Sequence, residues 1–558
     1  MPTIQFKGKS FVKNYHLTVP YHELIPVPEK SMTPEVRLDD NLIIHGDNLL
    51  ALKALLPMYA GKIKCIYIDP PYNIGNENWV YNDNVNSPMI REWLGKVVDR
   101  DDLTRHDKWL CMMMPRLNLL RELLRDDGVI FISIDDHEVH RLRLLMDEVF
   151  GESNFLACIA HVNNPKGRSD DKHFATAHDY LLVYKKKDDP VFYGWKPEEN
   201  VLRRYRLTDE NGQKYREIDL RKTGDNDRRE DRENLFYYFY YNQETGDFFA
   251  SKERKELEGY IEIIPLRNDG TEGNWRWECD TANQNIHLLV PKLMPRRRVW
   301  TVFEKDYLKP NERVKPTTAW TKKAFNSERG TEQFLELGFK KEDFNRPKPV
   351  GTIRHIIEFA TKDDDIILDA FAGSGTTGQA VLEQNKEDGS NRRFILIEME
   401  DFADTITAER IRRVIKGVPS AKNELLKQGT GGAFSFFQLG KAIDINGLLT
   451  GENLPSYMEL ARYVFYTATG ESFDPSKVDQ SRFYIGSSSK YDVYLVYKPD
   501  LSFLKTAAIN LEFAEGLGPY QGKKRLVFAP MKYLDEYYLE KYQIEFAQLP
   551  YEIFRFKG

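Results

Sequence analysis

Cysteine is scarce in this sequence, which has four cysteines in 558 residues: Cys65, Cys111, Cys158 and Cys279. No two of them have the CxxC spacing that is typical of zinc clusters and redox dithiols, so we expect no metal site of that kind. Sparse cysteine also fits a reducing compartment, and the start of the chain is polar and basic rather than apolar. We therefore expect a cytoplasmic protein.

Long apolar runs and an excess of positive charge are also missing. No stretch reaches the roughly 18 consecutive apolar residues of a membrane-spanning helix, so we expect no association with the membrane. The formal net charge is −6, which argues against a protein that coats nucleic acid non-specifically. A mildly acidic protein can still carry a basic cleft, so the charge neither favours nor excludes DNA as a partner.

Hydrophobic residues make up 41% of the chain, and their pattern predicts an α/β fold. After an arm rich in proline and polar residues (1–40), short apolar strands alternate with helices over residues 41–165 and again over 346–417. This alternation is typical of a largely parallel sheet covered on both faces. The predicted strands include Leu42–His45, Ile63–Ile68, Val129–Ile134, Phe155–His161, Ile366–Ala370 and Phe394–Ile397.

Two segments depart from this alternation. Residues 166–345 are charged, aromatic and irregular, and we interpret them as an inserted domain. Residues 418–558 form a further α/β region without a chemical motif, and they are a candidate dimer or partner interface. A polar loop from Asn73 to about Asp107 is long for a compact domain, which favours a functional role.

The first candidate site is a glycine-rich turn, Phe371-Ala372-Gly373-Ser374-Gly375, between a buried strand and a predicted helix. Glycines let the backbone turn sharply and approach a ligand closely, and doubly wound sheets bind ligands at the carboxyl ends of their strands. An acid at the end of the next strand, Glu398, is well placed to accept hydrogen bonds from ribose hydroxyls. A tight turn that binds nothing is the alternative interpretation.

Three ligands compete for this turn. A phosphate-binding loop needs a lysine where Thr376 and Thr377 follow the glycines. The GxGxxG spacing of a dinucleotide site is present, but Asp369 would place an acid near the pyrophosphate. S-adenosylmethionine has no phosphate and carries an ammonium, so the acid suits it better.

The second candidate site is Asp69-Pro70-Pro71-Tyr72, which directly follows the strand Ile63–Ile68. The exocyclic amine of a base is a poor nucleophile, because its lone pair is delocalised into the ring. A carboxylate from Asp69 and a carbonyl from Pro70 would accept the amine hydrogens and favour the localised lone pair. The prolines hold this carbonyl in a rigid geometry, and Tyr72 offers an aromatic face to an extruded base.

With these two motifs, the sequence resembles the amino-methyltransferases of DNA, in the permuted group in which the catalytic motif precedes the cofactor motif. Asp69-Pro70-Pro71-Tyr72 matches the catalytic motif and Phe371-Ala372-Gly373-Ser374-Gly375 the cofactor motif. The segments 45–48, 127–136 and 226–232 extend the resemblance to the modification subunits of type III restriction–modification systems. It covers most of residues 40–415.

The resemblance implies a Rossmann-like fold with a mostly parallel, seven-stranded sheet. Residues 41–165 would form the catalytic half, 166–345 an inserted target-recognition domain and 346–417 the half that binds S-adenosylmethionine. Asp47 and Asn48 would lie near the adenine of the cofactor, and Glu398 at its ribose. The full set of implied cofactor residues is Asp47, Asn48, Asp369, Phe371, Gly373, Gly375, Thr376 and Glu398.

The implied activity is methylation of N6 of a flipped adenine in double-stranded DNA, because Asp first and Tyr last in the motif usually accompany adenine. N4 of cytosine is the alternative. A homodimer is expected, and a further alternative is activity only in complex with an ATP-dependent restriction subunit. A methyltransferase of RNA or of protein glutamine is a less favoured alternative, because those enzymes usually carry Asn in place of Asp69. A DNA-binding module without activity is also less favoured, because such a module would not need both motifs intact.

Outside the two motifs, the insert offers basic and aromatic residues. Arg228, Arg229 and Arg232 are candidates for contacts with DNA phosphates, which position a protein on DNA rather than specify a sequence. We interpret the aromatic run 236–241 as a strand with one face in a core. His45, His161 and His178 are interpreted as structural, and no metal is expected because methyl transfer of this type needs none.

Overall fold

A computed structural model describes residues 3–73, 105–167, 172–197, 199–295, 297–309, 313–443, 447–451 and 454–550. The chain forms two compact units, one of residues 1–193 with 316–558 and one of residues 194–315. The predicted loop at 73–107 falls largely outside the described residues. None of the described helices combines the length and apolar character needed to span a membrane.

The first unit contains a ten-stranded sheet. Its strands follow the order His22–Pro26, Ser435–Ala442, Leu42–His45, Arg393–Glu398, Ile366–Asp369, Ile63–Ile68, Leu124–Ile134, Asp179–Lys185, Phe155–His161 and Ala319–Trp320. Only His22–Pro26 and Asp179–Lys185 run antiparallel to their neighbours in this sheet. The strands at 42–45, 63–68 and 155–161 begin and end where the sequence predicts.

The predicted α/β class with a mostly parallel sheet is confirmed, whereas the number of seven strands is too small. Ser435–Ala442 and His22–Pro26 extend one edge, and Ala319–Trp320 adds a short parallel pair at the other. Proline and polar residues dominate residues 1–40, which is why an arm is predicted there. Pairing with Ser435–Ala442 nevertheless gives His22–Pro26 a place in the sheet.

Burial explains why the central strands form. All six residues of Ile63–Ile68 and all four of Ile366–Asp369 are buried, so both faces of these strands are covered. The helix Asn48–Tyr59 begins where the Asp47 side chain accepts hydrogen bonds from the amides of Leu49 and Leu50. The helices of this unit are Lys9–Val12, Tyr15–Thr18, Asn48–Tyr59, Arg105–Leu123, Val139–Phe150, Ser327–Glu336, Val350–Ala360, Thr376–Asp388, Glu409–Lys416, Glu424–Gln428, Gly447–Thr450, Tyr457–Thr469, Leu501–Thr506, Leu511–Gly516 and Glu536–Lys541.

The C-terminal region packs within the first unit. The Tyr466 hydroxyl donates to Glu122 at 3.3 Å, and the Phe473 amide donates to the Pro57 carbonyl at 2.6 Å. Its own sheet has the strand order Tyr484–Ser487, Tyr491–Leu495, Lys524–Ala529 and Ile544–Gln548, beside the short pair Ala508–Ile509 and Met531–Lys532.

The second unit, residues 194–315, is shorter than the predicted insert of 166–345. It contains a three-stranded sheet in the order Phe248–Ser251, Tyr238–Asn242, Tyr260–Ile263, and a four-stranded sheet in the order Leu289–Met294, Val299–Tyr307, Lys214–Asp219, Leu207–Thr208. Tyr237 and Phe239 are fully buried against Trp275, so the prediction of a strand with one face in a core is confirmed for the aromatic run. The unit also holds the helices Glu199–Leu202 and Cys279–Gln284.

Candidate active site

A cleft of about 300 Å³ lies at the carboxyl ends of the strands Ile63–Ile68 and Ile366–Asp369. Both predicted motifs contribute to it, because these two strands are neighbours in the sheet. Of the predicted site residues, those that line the cleft are Asp69, Pro70, Tyr72, Asp369, Phe371, Gly373 and Thr376.

Trp109 holds in place the turn 69–72, which carries the predicted catalytic motif. Its indole Nε1 donates to the Pro71 carbonyl at 2.7 Å, which fixes the turn against the helix Arg105–Leu123. Asp69 retains 26% exposure, yet its Oδ1 has no solvent-exposed surface and lies 3.1 Å from Lys348 Nζ. Burial raises the pKa of the Asp69 carboxyl, and the nearby Lys348 opposes this effect.

Lys348 contacts the side chains of the turn 69–72. Its Nζ lies 3.1 Å from Asp69 Oδ1 and donates to the Tyr72 hydroxyl at 2.6 Å. The same ammonium lies 4.9 Å from the centre of the Tyr72 ring. Tyr72 in turn donates to Asp179 Oδ2 at 3.3 Å. The turn is thus connected through hydrogen bonds to a second buried acid.

Asp179 and His161 form a buried pair beside the cleft. His161 Nδ1 lies 2.7 Å from Asp179 Oδ1, and its Nε2 lies 2.9 Å from the Thr352 hydroxyl. Both ring nitrogens are therefore used inside the protein, which agrees with the interpretation of His161 as structural. His178, which lines the cleft, packs edge-on against Tyr180.

The glycine turn is shaped by two buried acids. Asp369 accepts hydrogen bonds from the Phe371 amide at 3.0 Å and from the Thr377 hydroxyl at 2.5 Å. Burial raises the pKa of Asp369 to about 7, because these two donors only partly offset the loss of solvation. Glu398 accepts from the Gly373 amide at 2.7 Å, so this carboxylate holds the turn closed.

Arg410 fixes the far side of the same turn. It is fully buried, and it donates to the hydroxyls of Ser374 at 2.7 Å and Thr376 at 2.8 Å and to the Gln379 side chain at 2.7 Å. Gly375 adopts a φ of 81°, and a Cβ there would lie 2.9 Å from the Thr407 carbonyl oxygen. Gly375 is therefore required by packing behind the turn rather than by contact with the cleft.

Asp47 and Asn48 are occupied by protein contacts. The Asp47 carboxylate caps the helix Asn48–Tyr59 and lies 3.5 Å from Arg116. The Asn48 amide donates to the Ala370 carbonyl at 2.8 Å and accepts from Arg116 at 2.6 Å. Neither residue lines the cleft, and their predicted contact with the cofactor stays a prediction.

The three predicted DNA-binding arginines lie on the surface of the unit 194–315. Arg228, Arg229 and Arg232 are all exposed. Arg228 pairs with Glu230 at 3.5 Å, and Arg229 pairs with Glu272 at 2.6 Å and lies 4.0 Å from the centre of the Phe236 ring. Their predicted contact with DNA phosphates stays a prediction.

A small acidic group borders the cleft. Asp135, Asp136 and His137 bring their ligand atoms within 4.8 Å of one another, and the two aspartates line the cleft. His137 Nδ1 already lies 2.9 Å from Asp135 Oδ2. We therefore assign no function to these three residues.

Sequence reasoning missed the roles of Lys348, Asp179, Arg410 and Trp109. Lys348 could have been noted, because it lies in the Pro347-Lys348-Pro349 segment. Asp179 and Trp109 carry no sequence signal of a role at the site. Their contacts depend on the fold.

Comparison with known proteins identifies the family. The family model described as DNA methylase, for N6 and N4 methyltransferases, matches residues 63–409. The chain is 31% identical over 456 residues to the type III restriction–modification enzyme EcoPI Mod subunit of Escherichia phage P1, covering 76% of this chain and 70% of that protein. It is 35% identical over 369 residues to the type II methyltransferase M.KpnI of Klebsiella pneumoniae, covering 66% and 82%.

The solved structure of the M1.HpyAVI–SAM complex is 14% identical, covers 66% of this chain and 98% of that one, and gives a TM-score of 0.30. The family assignment therefore depends on the sequence matches, together with the two motifs that meet in the cleft. The chain belongs to the N6/N4 DNA methylase family and is an S-adenosylmethionine-dependent DNA methyltransferase similar to type III modification subunits.

Proposed function

We propose that this chain methylates N6 of an adenine that is extruded from double-stranded DNA, at a specific sequence in a restriction–modification setting. The observation that carries the proposal is the shared cleft of Asp69 and the glycine turn. S-adenosylmethionine supplies the methyl group when bound. Asp69 and Tyr72 line the same cleft as Asp369 and Phe371. A base bound at Asp69 and Tyr72 would therefore lie close to the methyl group of the cofactor.

In this proposal the residues act mainly by positioning and electrostatics. Asp69 Oδ1, which lies 3.1 Å from Lys348 Nζ, accepts a hydrogen bond from the target amine. Tyr72 stacks on the base and the Trp109 indole keeps the turn in place. Asp369 attracts the positive charge of the cofactor, and Glu398 and Arg410 keep the glycine turn in its shape.

Adenine is favoured over cytosine because the motif begins with Asp and ends with Tyr, as in the family members that methylate adenine. Four of the relatives are named as type III Mod subunits, one of them as a probable one, so we further propose that the chain associates with a restriction subunit, and we also propose that it forms a homodimer. We assign the recognition of the target sequence to the inserted unit 194–315, where Arg228, Arg229 and Arg232 would contact phosphates.

The test is single-molecule sequencing of DNA from a methylation-free host that expresses the chain alone. We expect N6-methyladenine at one sequence motif for the wild type and for Asp189→Ala, whose carboxylate is 89% exposed. Asp69→Ala should abolish the mark while calorimetry shows that the purified variant still binds S-adenosylmethionine.

Other outcomes are equally informative. Detection of N4-methylcytosine instead of N6-methyladenine would show that cytosine is the target base. Absence of any mark together with retained cofactor binding would indicate that a restriction subunit is needed, which co-expression would reveal. Normal methylation by Asp69→Ala would contradict the assignment of the catalytic turn.

A further inference from the structure

Lys348 brings a positive charge between two acids of the cleft. Its Nζ lies 3.1 Å from Asp69 Oδ1 and 3.6 Å from Asp179 Oδ2, and its side chain is 23% exposed. The Asp69 oxygen that faces the ammonium has no solvent-exposed surface. The Lys348 ammonium therefore contacts the same Asp69 oxygen that would accept a hydrogen bond from the amine of the target base.

Asp179 has two further partners besides Lys348. His161 contacts its Oδ1 at 2.7 Å, and Tyr72 donates to its Oδ2 at 3.3 Å. His161 is itself held by Thr352 at 2.9 Å. Because Asp179 is 6% exposed and fixed on two sides, it offers the lysine a second carboxylate a short side-chain movement away.

We propose that Lys348 is a positioning residue that occupies the Asp69 carboxylate before the target base arrives and shifts to Asp179 when the base amine replaces it. This inference rests on the proposed function, because the amine of the base is the competitor. The exchange moves no proton and leaves the net charge of the three side chains unchanged. The lysine keeps Asp69 ready as an acceptor, and Asp179 stabilises the ammonium after it leaves.

The electrostatics of the three groups agree with this exchange. Burial raises the pKa of Asp69, and Lys348 opposes that rise. Burial would also raise the pKa of Asp179, but Lys348 and His161 hold it below its usual range. Burial would lower the pKa of Lys348, yet Asp69 and Asp179 raise it, so the ammonium stays charged at either position. The other titratable or charged groups that line the cleft or contact these three are Tyr67, Tyr72, Asp135, Asp136, His161, His178, Glu342, Asp343, Arg346 and Asp369.

The test compares Lys348→Met, Lys348→Arg and Asp179→Asn on a duplex that carries the methylation site found by sequencing. Single-turnover rates at saturating S-adenosylmethionine between about pH 6 and pH 9 report the ionisation of the acceptor, because saturation removes the pH dependence of cofactor binding. Lys348→Met should move the acid limb of the profile up by about one pH unit or more, about a tenfold loss of rate on that limb. Lys348→Arg should restore the profile. The matched control is Lys9→Met, which removes a partly buried lysine paired with Glu148 at 2.8 Å.

Asp179→Asn tests the second half of the exchange. Without that carboxylate the lysine stays on Asp69, so the KM for DNA should rise about tenfold. The acid limb should not move up as it does in Lys348→Met, because the negative charge of Asp179 raises the pKa of Asp69. Fluorescence of 2-aminopurine placed next to the target adenine, whose own amine is kept, gives a readout without turnover, and base docking should weaken by a similar factor. Calorimetry with S-adenosylmethionine shows that each variant is folded. Where Lys348→Met fails that check, Asp179→Asn decides alone.

The results separate this inference from the function beneath it. A wild-type protein that methylates neither alone nor with a restriction subunit overturns both. An active wild type together with an unshifted Lys348→Met profile, or with an unchanged DNA KM in Asp179→Asn, overturns the role of Lys348 alone.

Discussion

Asp369 should couple cofactor binding to pH. Its pKa is raised to about 7 by burial, so in the free protein the carboxyl is largely neutral at pH 6 and largely ionised at pH 8. A cationic ligand in the same cleft favours the ionised form, because opposite charges at short range stabilise each other. Binding of S-adenosylmethionine below pH 7 should therefore release a proton.

The magnitude follows from this single pKa. If the cofactor binds the ionised form, its dissociation constant should be about tenfold larger at pH 6 than at pH 8, or about 1.4 kcal/mol. At pH 7 binding should release about half a proton. Calorimetry in two buffers of different ionisation enthalpy measures this number directly.

Asp369→Asn should abolish both the proton release and this part of the pH dependence. Glu383→Gln is the matched control, because Glu383 is also a buried acid with a raised pKa but does not line the cleft. Proton release of the same size in Asp369→Asn and in the wild type would refute the reasoning.

Two further predictions concern packing. Gly375→Ala should lower the free energy of unfolding by about 2–3 kcal/mol and weaken cofactor binding, because the added Cβ would clash with the Thr407 carbonyl oxygen. The control is Gly389→Ala, which has a similar φ of 74° but open space around it and should lower the free energy of unfolding by about 1 kcal/mol. Equal losses in urea unfolding would show that the Thr407 contact is unimportant. Trp275→Ala removes the fully buried indole of the unit 194–315 and should destabilise that unit by about 3–5 kcal/mol, so DNA binding should fall while binding of S-adenosylmethionine persists. Unchanged DNA affinity would contradict a recognition role for this unit.

The central sheet could be predicted because its signals are local. A strand such as Ile63–Ile68 is apolar throughout and is stopped by two prolines, so its ends are visible in the sequence. The meeting of Asp69 and Asp369 in one cleft was also predictable in outline. Parallel strands place their carboxyl ends at one edge, and ligands bind there.

The edges of the sheet and the contacts around the catalytic turn could not be predicted in the same way. His22–Pro26 joins the sheet only because Ser435–Ala442 lies beside it, and these strands are about 400 residues apart. Likewise Lys348, Asp179 and His161 belong to three separate segments that the fold brings together. Asn48 differs, because the sequence predicts that it contacts the cofactor, whereas its side-chain amide forms hydrogen bonds with Ala370 and Arg116.

The two acids at the strand ends differ in a way that matches what each would bind. Asp369 is buried and Asp69 is partly buried, and the loss of solvation raises the pKa of both. Lys348 lies 3.1 Å from Asp69, whereas Asp369 has only neutral donors, the Phe371 amide and the Thr377 hydroxyl. An acid already balanced by a lysine gains little from a cation but still accepts from a neutral amine. An acid without a cation gains most from a positively charged ligand, so we infer that the amine belongs at Asp69 and the cofactor at Asp369.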